Sequence, residues 1–179
     1  SLVGSEMCIR DSANPDTYFQ SREATNPWYN AVYDHVEQAM NDFAAATGRQ
    51  YQPFEYYGHP QAERVIILMG SAIGTCEEVV DELLTRGEKV GVLKVRLYRP
   101  FSAKHLLQAL PGSVRSVAVL DRTKEPGAQA EPLYLDVMTA LAEAFNNGER
   151  ETLPRVIGGR YGLSSKEFGP DCVLAVSYT

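Results

Sequence analysis

The chain has 179 residues, of which 44% are apolar and 22% charged, and 17 Lys and Arg against 23 Asp and Glu give a formal net charge of −6. This length and composition predict one globular domain with some additional chain, and they argue against a disordered protein. The mild acidity argues against nucleic-acid binding. The longest apolar run, residues 65–69, has the length of a strand and is too short to span a membrane.

The two ends of the chain differ in character from the rest. Residues 1–12 follow neither a helical nor a strand period, lack the features of a signal peptide, and closely resemble the translation of a sequencing adapter. Residues 176–179 resemble the start of the opposite adapter. We therefore expect residues 1–12 and the last few residues to be non-native, with a natural disordered tail as the alternative.

Residues 13–60 are predicted to lead into the main domain. Asn26 and Pro27 suit the start of a helix over residues 27–47, which Gly48 ends. Residues 51–60 are rich in aromatic and turn residues and are expected to form a linker that packs against a neighbouring domain. The domain boundary is therefore placed near residues 58–61, with the core domain over residues 61–157 and a further lead-out over residues 158–179.

From residue 64 onward, strand and helix patterns alternate. An apolar strand over residues 64–69 precedes a helix that a capping box from Thr75 to Glu78 begins and Gly87 ends. Further strands are predicted at residues 90–98, 116–120 and 155–157, with a short helix after Ser102 and a long helix from Pro132 to about Gly148. This alternation predicts a three-layer α/β/α fold around a mostly parallel sheet.

The carboxyl ends of such strands are where ligands bind in open α/β sheets. Basic residues are concentrated in the segments that follow the predicted strands, which favours either a phosphate-bearing ligand or an acidic partner surface. A network of local ion pairs, such as one between Arg122 and Glu125, is an equally good explanation. The candidate ligand or interface residues are Gly70, Ser71, Arg96, Arg99, Asp121, Arg122, Lys124, Glu125, Arg160 and Lys166.

Other kinds of site have little support in the sequence. The turn over residues 70–75 lacks the middle glycine of a dinucleotide fingerprint, although the helix amides behind it remain a possible anion site. Cys76 has no obvious histidine partner and is expected to be a buried structural residue. Cys8, Cys76 and Cys172 are far apart, so they form neither a disulfide framework nor a metal site, and their usage fits a reducing cytoplasm.

Four ordered segments identify a family. Residues 67–72, 90–102, 119–128 and 156–168, together with residues 14–16 and 19–24, resemble pyruvate:ferredoxin (flavodoxin) oxidoreductase across residues 13–175. The family usually has glycine where Ala130 stands, and we expect this difference to tighten the loop locally. The resemblance implies a piece that covers the end of the first thiamine-side domain, core domain II, and the entry to domain III.

The resemblance also implies a role. Core domain II resembles the transketolase C-terminal domain and serves mainly in contacts between domains and subunits. The full-length enzyme is a homodimer that uses thiamine diphosphate, Mg and [4Fe-4S] clusters to convert pyruvate and CoA to acetyl-CoA and CO2, with ferredoxin or flavodoxin as electron carrier. No catalytic residue carries over to this chain, which is expected to be inactive alone. The alternatives are an autonomous module that binds a phosphorylated ligand such as CoA at the basic strand ends, and a free-standing interaction protein.

Overall fold

The computed structural model describes residues 15–178, so the predicted non-native leader lies outside the described residues. The elements follow one another along the chain in the order α1 Pro15–Glu23, α2 Asn26–Thr47, β1 Phe54–Gly58, β2 Arg64–Leu68, α3 Ile73–Thr85, β3 Val90–Val95, α4 Ala103–Ala109, β4 Ser116–Asp121, α5 Pro132–Asn146, β5 Arg155–Arg160 and α6 Pro170–Ser177. No helix among these residues is long and apolar enough to cross a bilayer.

The five strands form one sheet in the order β1-β3-β2-β4-β5. Strand β1 is antiparallel to β3, and all other neighbours are parallel. Central strand β2 places Ile67 opposite Leu93 on one side and Val119 on the other. The structure therefore confirms the predicted α/β class with a mostly parallel sheet.

Both faces of the sheet are covered, which explains the continuous apolar strands in the sequence. Val65 and Ile67 of β2 belong to the core under α4 and α5, whereas Ile66 and Leu68 belong to the core under α3 and α6. All four β2 residues are buried because successive side chains of a strand point to opposite faces.

Strand β1 is the main element that the sequence analysis missed. Residues 54–58 were expected within a linker, but they pair with β3 as an antiparallel edge strand. The pairing depends on close backbone approach, since a Cβ atom on Gly58 would lie 2.5 Å from the Cα atom of Gly91. The aromatic linker thus supplies part of the sheet.

The residues at which two helices begin differ from the predictions. Helix α3 begins at Ile73, so Thr75 lies inside the helix and the expected capping box is wrong. The amide of Cys76 donates to the Ala72 carbonyl, which lets the helix start earlier than its side chains suggest. Asn26, the expected cap of α2, is its first helical residue and Thr25 takes the cap position.

Two strands differ in length from their predictions. Strand β3 ends at Val95, three residues early, while β5 continues to Arg160, three residues beyond the expected end. Pairing with β4 carries β5 onward, because the amide of Tyr161 still donates to the Asp121 carbonyl. Both glycines after Ile157 therefore lie in the strand and not in a loop.

Helix α6 was not predicted and packs on the second core through buried Val173. Residues 176–178, expected to be non-native, belong to this helix and the turn after it. Arg64 donates to the Ser177 carbonyl at 2.7 Å, and the Tyr178 hydroxyl donates to Glu88 at 2.7 Å. Their non-native origin stays a prediction.

Candidate functional site

The carboxyl ends of β2, β3, β4 and β5 lie at one edge of the sheet, because these four strands are parallel. The segments that follow them carry the ten candidate residues of the sequence analysis. We call this edge, with the turns and loops after the four strands, the strand-end rim. The structure divides its candidate residues into ion-paired, structural and solvent-exposed groups.

Arg96 belongs to an ion-pair network with residues that the sequence analysis did not select. Its guanidinium donates to Glu55 of β1 at 2.9 Å. Glu55 also pairs with Lys94 of β3, whose ammonium lies 2.8 Å from Glu77 of α3. Burial opposes ionisation of Glu55, but hydrogen bonds from Lys94 and Arg96 hold its pKa below the usual value. Arg96 therefore joins the edge strand to the sheet.

Arg99 is likewise ion-paired. Its guanidinium lies 2.7 Å from the Asp136 carboxylate of α5 and 4.0 Å above the Tyr98 ring. Burial, strengthened by a hydrogen bond to Asp136, raises the pKa of Tyr98 to about 12. Tyr98 thus stays neutral at physiological pH, and Arg99 connects the segment after β3 to α5.

Asp121 is a structural residue that holds the start of α5. Its side-chain oxygens accept from the amides of Leu133 at 2.9 Å and Tyr134 at 3.2 Å. Asp121 is only 2% exposed, and burial raises its pKa even though these amides favour the carboxylate. A carboxylate at this position complements the helix dipole.

Glu131 is a buried carboxylate that the sequence analysis missed. It is 5% exposed, pairs with Arg160, and accepts from the amide of Glu125 at 2.9 Å. The hydrogen bond from Arg160 holds the pKa of Glu131 below its usual value. Its position directly before Pro132, the first residue of a helix, was the available sequence signal.

Arg122 joins two segments of the rim, the turn after β2 that contains Gly70 and Ser71 and the segment after β5. The Arg122 guanidinium donates to the Ser71 hydroxyl at 3.0 Å and to the Gly162 carbonyl at 3.0 Å. Gly70 has a φ of +89°, so the turn between β2 and α3 needs a glycine at this position. This contact fixes the turn after β2 against the segment after β5.

Lys124, Glu125 and Lys166 are exposed to solvent on the loops after β4 and β5. Within residues 15–178, neither lysine forms a salt bridge. The expected pair between Arg122 and Glu125 is absent from the salt bridges of residues 15–178: the Arg122 guanidinium donates to Gly162 and Ser71, and the contact of Glu125 with Glu131 is made by its backbone amide. Ion pairing therefore accounts for Arg96, Arg99 and Arg160 and leaves three cations of the rim outside salt bridges.

A cavity of about 290 Å³ lies beside the rim, between the start of α5 and the end of β5. It is lined by Asp121, Gln129, Ala130, Glu131, Tyr134, Leu135, Gly158, Gly159 and Arg160. Both buried carboxylates at its wall already accept hydrogen bonds from the protein. Within residues 15–178 no group of three or more His, Cys, Asp or Glu side chains is placed to hold a metal ion.

A family model now matches the region just described. Residues 62–162 match the model described as pyruvate:ferredoxin oxidoreductase core domain II. The chain belongs to this family. The match confirms the resemblance stated from the sequence, and it covers β2 to β5 with every candidate residue of the strand-end rim except Lys166.

Curated relatives of this core domain II chain are oxidoreductases of much greater length. The chain is 99% identical over 165 residues to the "Probable pyruvate-flavodoxin oxidoreductase" of Escherichia coli (strain K12), which covers 92% of this chain and 14% of that protein. It is 61% identical over 177 residues to the pyruvate-flavodoxin oxidoreductase of Trichormus variabilis, covering 98% of this chain and 15% of the relative. This chain thus spans about one seventh of the relatives.

A solved structure supports the fold of this core domain II chain. The 2-oxoglutarate:ferredoxin oxidoreductase from Magnetococcus marinus, with 2-oxoglutarate, coenzyme A and succinyl-CoA bound, matches with a TM-score of 0.52 at 18% identity. The match covers 92% of this chain and 23% of that chain. At this identity the likeness concerns the fold alone.

Cys76 has no catalytic signature. It is fully buried in the core under α3, and burial raises its pKa to about 12, so the thiol stays protonated. This agrees with the structural role expected from the sequence.

Proposed function

We propose that the chain is a scaffold and contact module of a pyruvate:ferredoxin or pyruvate-flavodoxin oxidoreductase and does not catalyse alone. The longer enzyme would convert pyruvate, CoA and an oxidised carrier to acetyl-CoA, CO2 and the reduced carrier. Residues 13–60 would end the preceding thiamine-side domain, residues 61–157 would form core domain II, and residues 158–179 would lead into domain III.

A group of exposed aromatic side chains on α1 and α2 carries the contact role. The exposed fractions are 54% for Tyr18, 70% for Phe19, 78% for Trp28 and 57% for Tyr29. Helix α1 has no buried residue, and only Tyr33 of α2 is buried, where its ring stacks on His105 at 3.7 Å. Several large exposed apolar side chains on neighbouring segments of the chain favour an interaction site. We call these four residues the aromatic patch.

The strand-end rim supports the same role. Arg96, Arg99 and Arg160 are engaged in ion pairs that join strands and helices of this chain. The Asp121 carboxylate accepts from the amide of Leu133. The Glu131 carboxylate accepts from the amide of Glu125 and pairs with Arg160. These residues therefore act in holding the rim together, which is what a scaffold requires.

Cofactors and partners belong to the longer enzyme in this proposal. Thiamine diphosphate, Mg and [4Fe-4S] clusters would bind outside this chain, as the resemblance to the family implies. The partners would be other domains of the same chain, the second subunit of a homodimer, and ferredoxin or flavodoxin. The pyruvate-flavodoxin oxidoreductase relatives and the pyruvate:ferredoxin oxidoreductase family support flavodoxin and ferredoxin as carriers, and we place the enzyme in the cytoplasm.

Two assays test the proposal. The purified 179-residue chain is mixed with pyruvate, CoA, thiamine diphosphate, Mg and oxidised flavodoxin, and we expect no reduction of the carrier. Turnover by this chain would overturn the proposal. In the full-length E. coli relative, Phe19→Ser with Trp28→Ser is expected to lower the unfolding temperature, while Phe145→Ser, a change at an exposed residue of α5, serves as control.

A further inference from the structure

Strand β5 ends the sheet on the side opposite β1, and its outer edge has no neighbouring strand among residues 15–178. The amides of Arg155 and Tyr161 donate to carbonyls of the β4 side. In a parallel pair, hydrogen bonds involve alternate residues of each strand. The odd-numbered residues of β5 therefore face β4, and the backbone groups of Val156, Gly158 and Arg160 face outward.

The outer edge of β5 is open and bordered by apolar side chains. Gly158 is exposed, and the flanking Leu153, Leu163 and Leu135 are exposed by 40%, 38% and 44%. An open strand edge with apolar neighbours is a template for another strand and a liability for a protein that leaves it uncovered. We call this feature the β5 edge.

Gly158 also shapes the surface beside the edge. A Cβ atom at this position would lie 2.9 Å from the Tyr134 ring, so the glycine lets the ring lie directly against the strand. The cavity of about 290 Å³ opens next to it, with Leu135 and Tyr134 in its wall. Because the Tyr134 ring occupies the space above Gly158, a side chain from a strand paired with β5 would meet this ring and Leu135 on this face.

We propose that the β5 edge receives an extended segment of the longer oxidoreductase chain, which adds a sixth strand to the sheet. Backbone groups of Val156, Gly158 and Arg160 would bond to the segment, and an apolar side chain of the segment would lie against the Tyr134 ring and Leu135 in the neighbouring cavity. The occupant is argued from length, since the matched region makes up only 14% of the E. coli relative. This inference rests on the proposed function.

Amide hydrogen exchange with single-residue resolution tests the inference. It compares the 179-residue chain with the full-length E. coli relative. We expect the outward amides of Val156, Gly158 and Arg160 to exchange at least about tenfold slower in the longer enzyme. The inward amides of Ile157 and Gly159 are the internal control and should be protected in both proteins. Equal exchange of the outward amides in both proteins would overturn the inference.

Two exposed residues of α5 provide a matched pair of variants for the full-length relative. Leu135 and Phe145 are exposed by 44% and 43%, and only Leu135 borders the cavity beside β5. Leu135→Asp should speed exchange of the Gly158 amide, whereas Phe145→Asp should not. Protection in the 179-residue chain that rises with its concentration would assign the edge to a second copy and overturn the inference. Turnover of pyruvate by the chain alone would refute the proposed function while leaving the measured exchange difference unchanged.

Discussion

Lys94 shows how one residue can determine the position of an edge strand. It is 4% exposed on β3, the strand beside the edge strand, and lies directly opposite Glu55 of β1. Its ammonium contacts Glu55 and Glu77, so one buried charge connects β3 with the edge strand β1 and with helix α3. Shifting β1 by one residue would move Glu55 to the other face and leave the buried ammonium with less compensation.

Replacing Lys94 should therefore destabilise the chain strongly. We expect Lys94→Met to lower the free energy of unfolding by about 2 kcal/mol, because Glu77 would lose its ammonium partner and Glu55 would keep only Arg96. The control is Lys89→Met, since the pair of Lys89 with Glu63 is exposed and its loss should cost at most about 1 kcal/mol. Urea unfolding measures both, and equal losses would contradict a special role for Lys94.

The lowered pKa of Glu131 predicts that the folded chain loses stability in acid. Its pKa is held below the usual value in the folded chain by Arg160, so the stabilisation is complete above about pH 4.3, the ordinary value for glutamate. It is lost as the pH falls through the lower folded-state pKa.

The comparison that isolates this effect uses Glu131→Gln. Urea unfolding is measured from about pH 7 to about pH 3. Below about pH 4 the parent chain should lose stability more steeply than the variant, while exposed Glu149→Gln should keep the parent slope. Parallel curves for the parent and Glu131→Gln would contradict the prediction. Because burial raises the pKa of Asp121, its contribution runs in the opposite direction; the charge of Glu131 adds to this rise, so Glu131→Gln also makes the Asp121 contribution smaller.

At the scale of elements, the pairing of β1 with β3 depends on the lack of side chains at two facing positions. Gly58 lies opposite Gly91, and the ring of Tyr56 covers Gly91 while its hydroxyl donates to the His59 carbonyl at 2.6 Å. A Cβ atom on Gly91 would lie 2.2 Å from the Tyr56 hydroxyl oxygen. The ring would have to move and give up its hydrogen bond.

Gly91→Ala should consequently destabilise the edge of the sheet. Overpacking costs of this kind are about 2 kcal/mol. Gly112→Ala is the matched control, because a Cβ atom there meets nothing within 4 Å. Thermal unfolding should show a clear decrease for the first variant and little change for the second. A neutral Gly91→Ala would mean that Tyr56 repacks without loss.

At the scale of the whole molecule, α1 and the first half of α2 extend from the sheet with their aromatic side chains uncovered. Tyr33 is the buried residue of α2, and the aromatic patch lies in the residues before it. A separate chain that exposes this surface is expected to self-associate, because removing apolar area from water is favourable.

We expect the 179-residue chain to self-associate through the aromatic patch. Sedimentation velocity should show oligomers that Phe19→Ser with Trp28→Ser reduces. Phe145→Ser, at an exposed apolar position of α5, is the control. Trp28 is the only tryptophan in the sequence, so its fluorescence reports directly on whether the patch is covered. A monomer at all concentrations would contradict the prediction.

The central elements follow from the sequence because local signals agree there. Apolar runs bounded by turn residues gave β2 and β4, and Gly48 and Pro132 marked a helix end and a helix start that the structure confirms. Long ordered segments carried the family. These features depend on residues that are neighbours in the chain, so periodicity and capping chemistry are enough to find them.

Only the tertiary structure determined β1, the length of β5 and the partners of the strand-end cations. In the pairing of β1 with β3, Glu55 contacts Lys94, which is 39 residues away in the chain. Arg160 pairs with Glu131, which is 29 residues away. Helix α6 likewise depends on a core that distant elements complete. Such contacts are set by the packing of the whole sheet, which no local pattern records. The sequence by itself therefore determined the fold class, the family and a basic rim, while the structure showed how most of that rim is held within the chain.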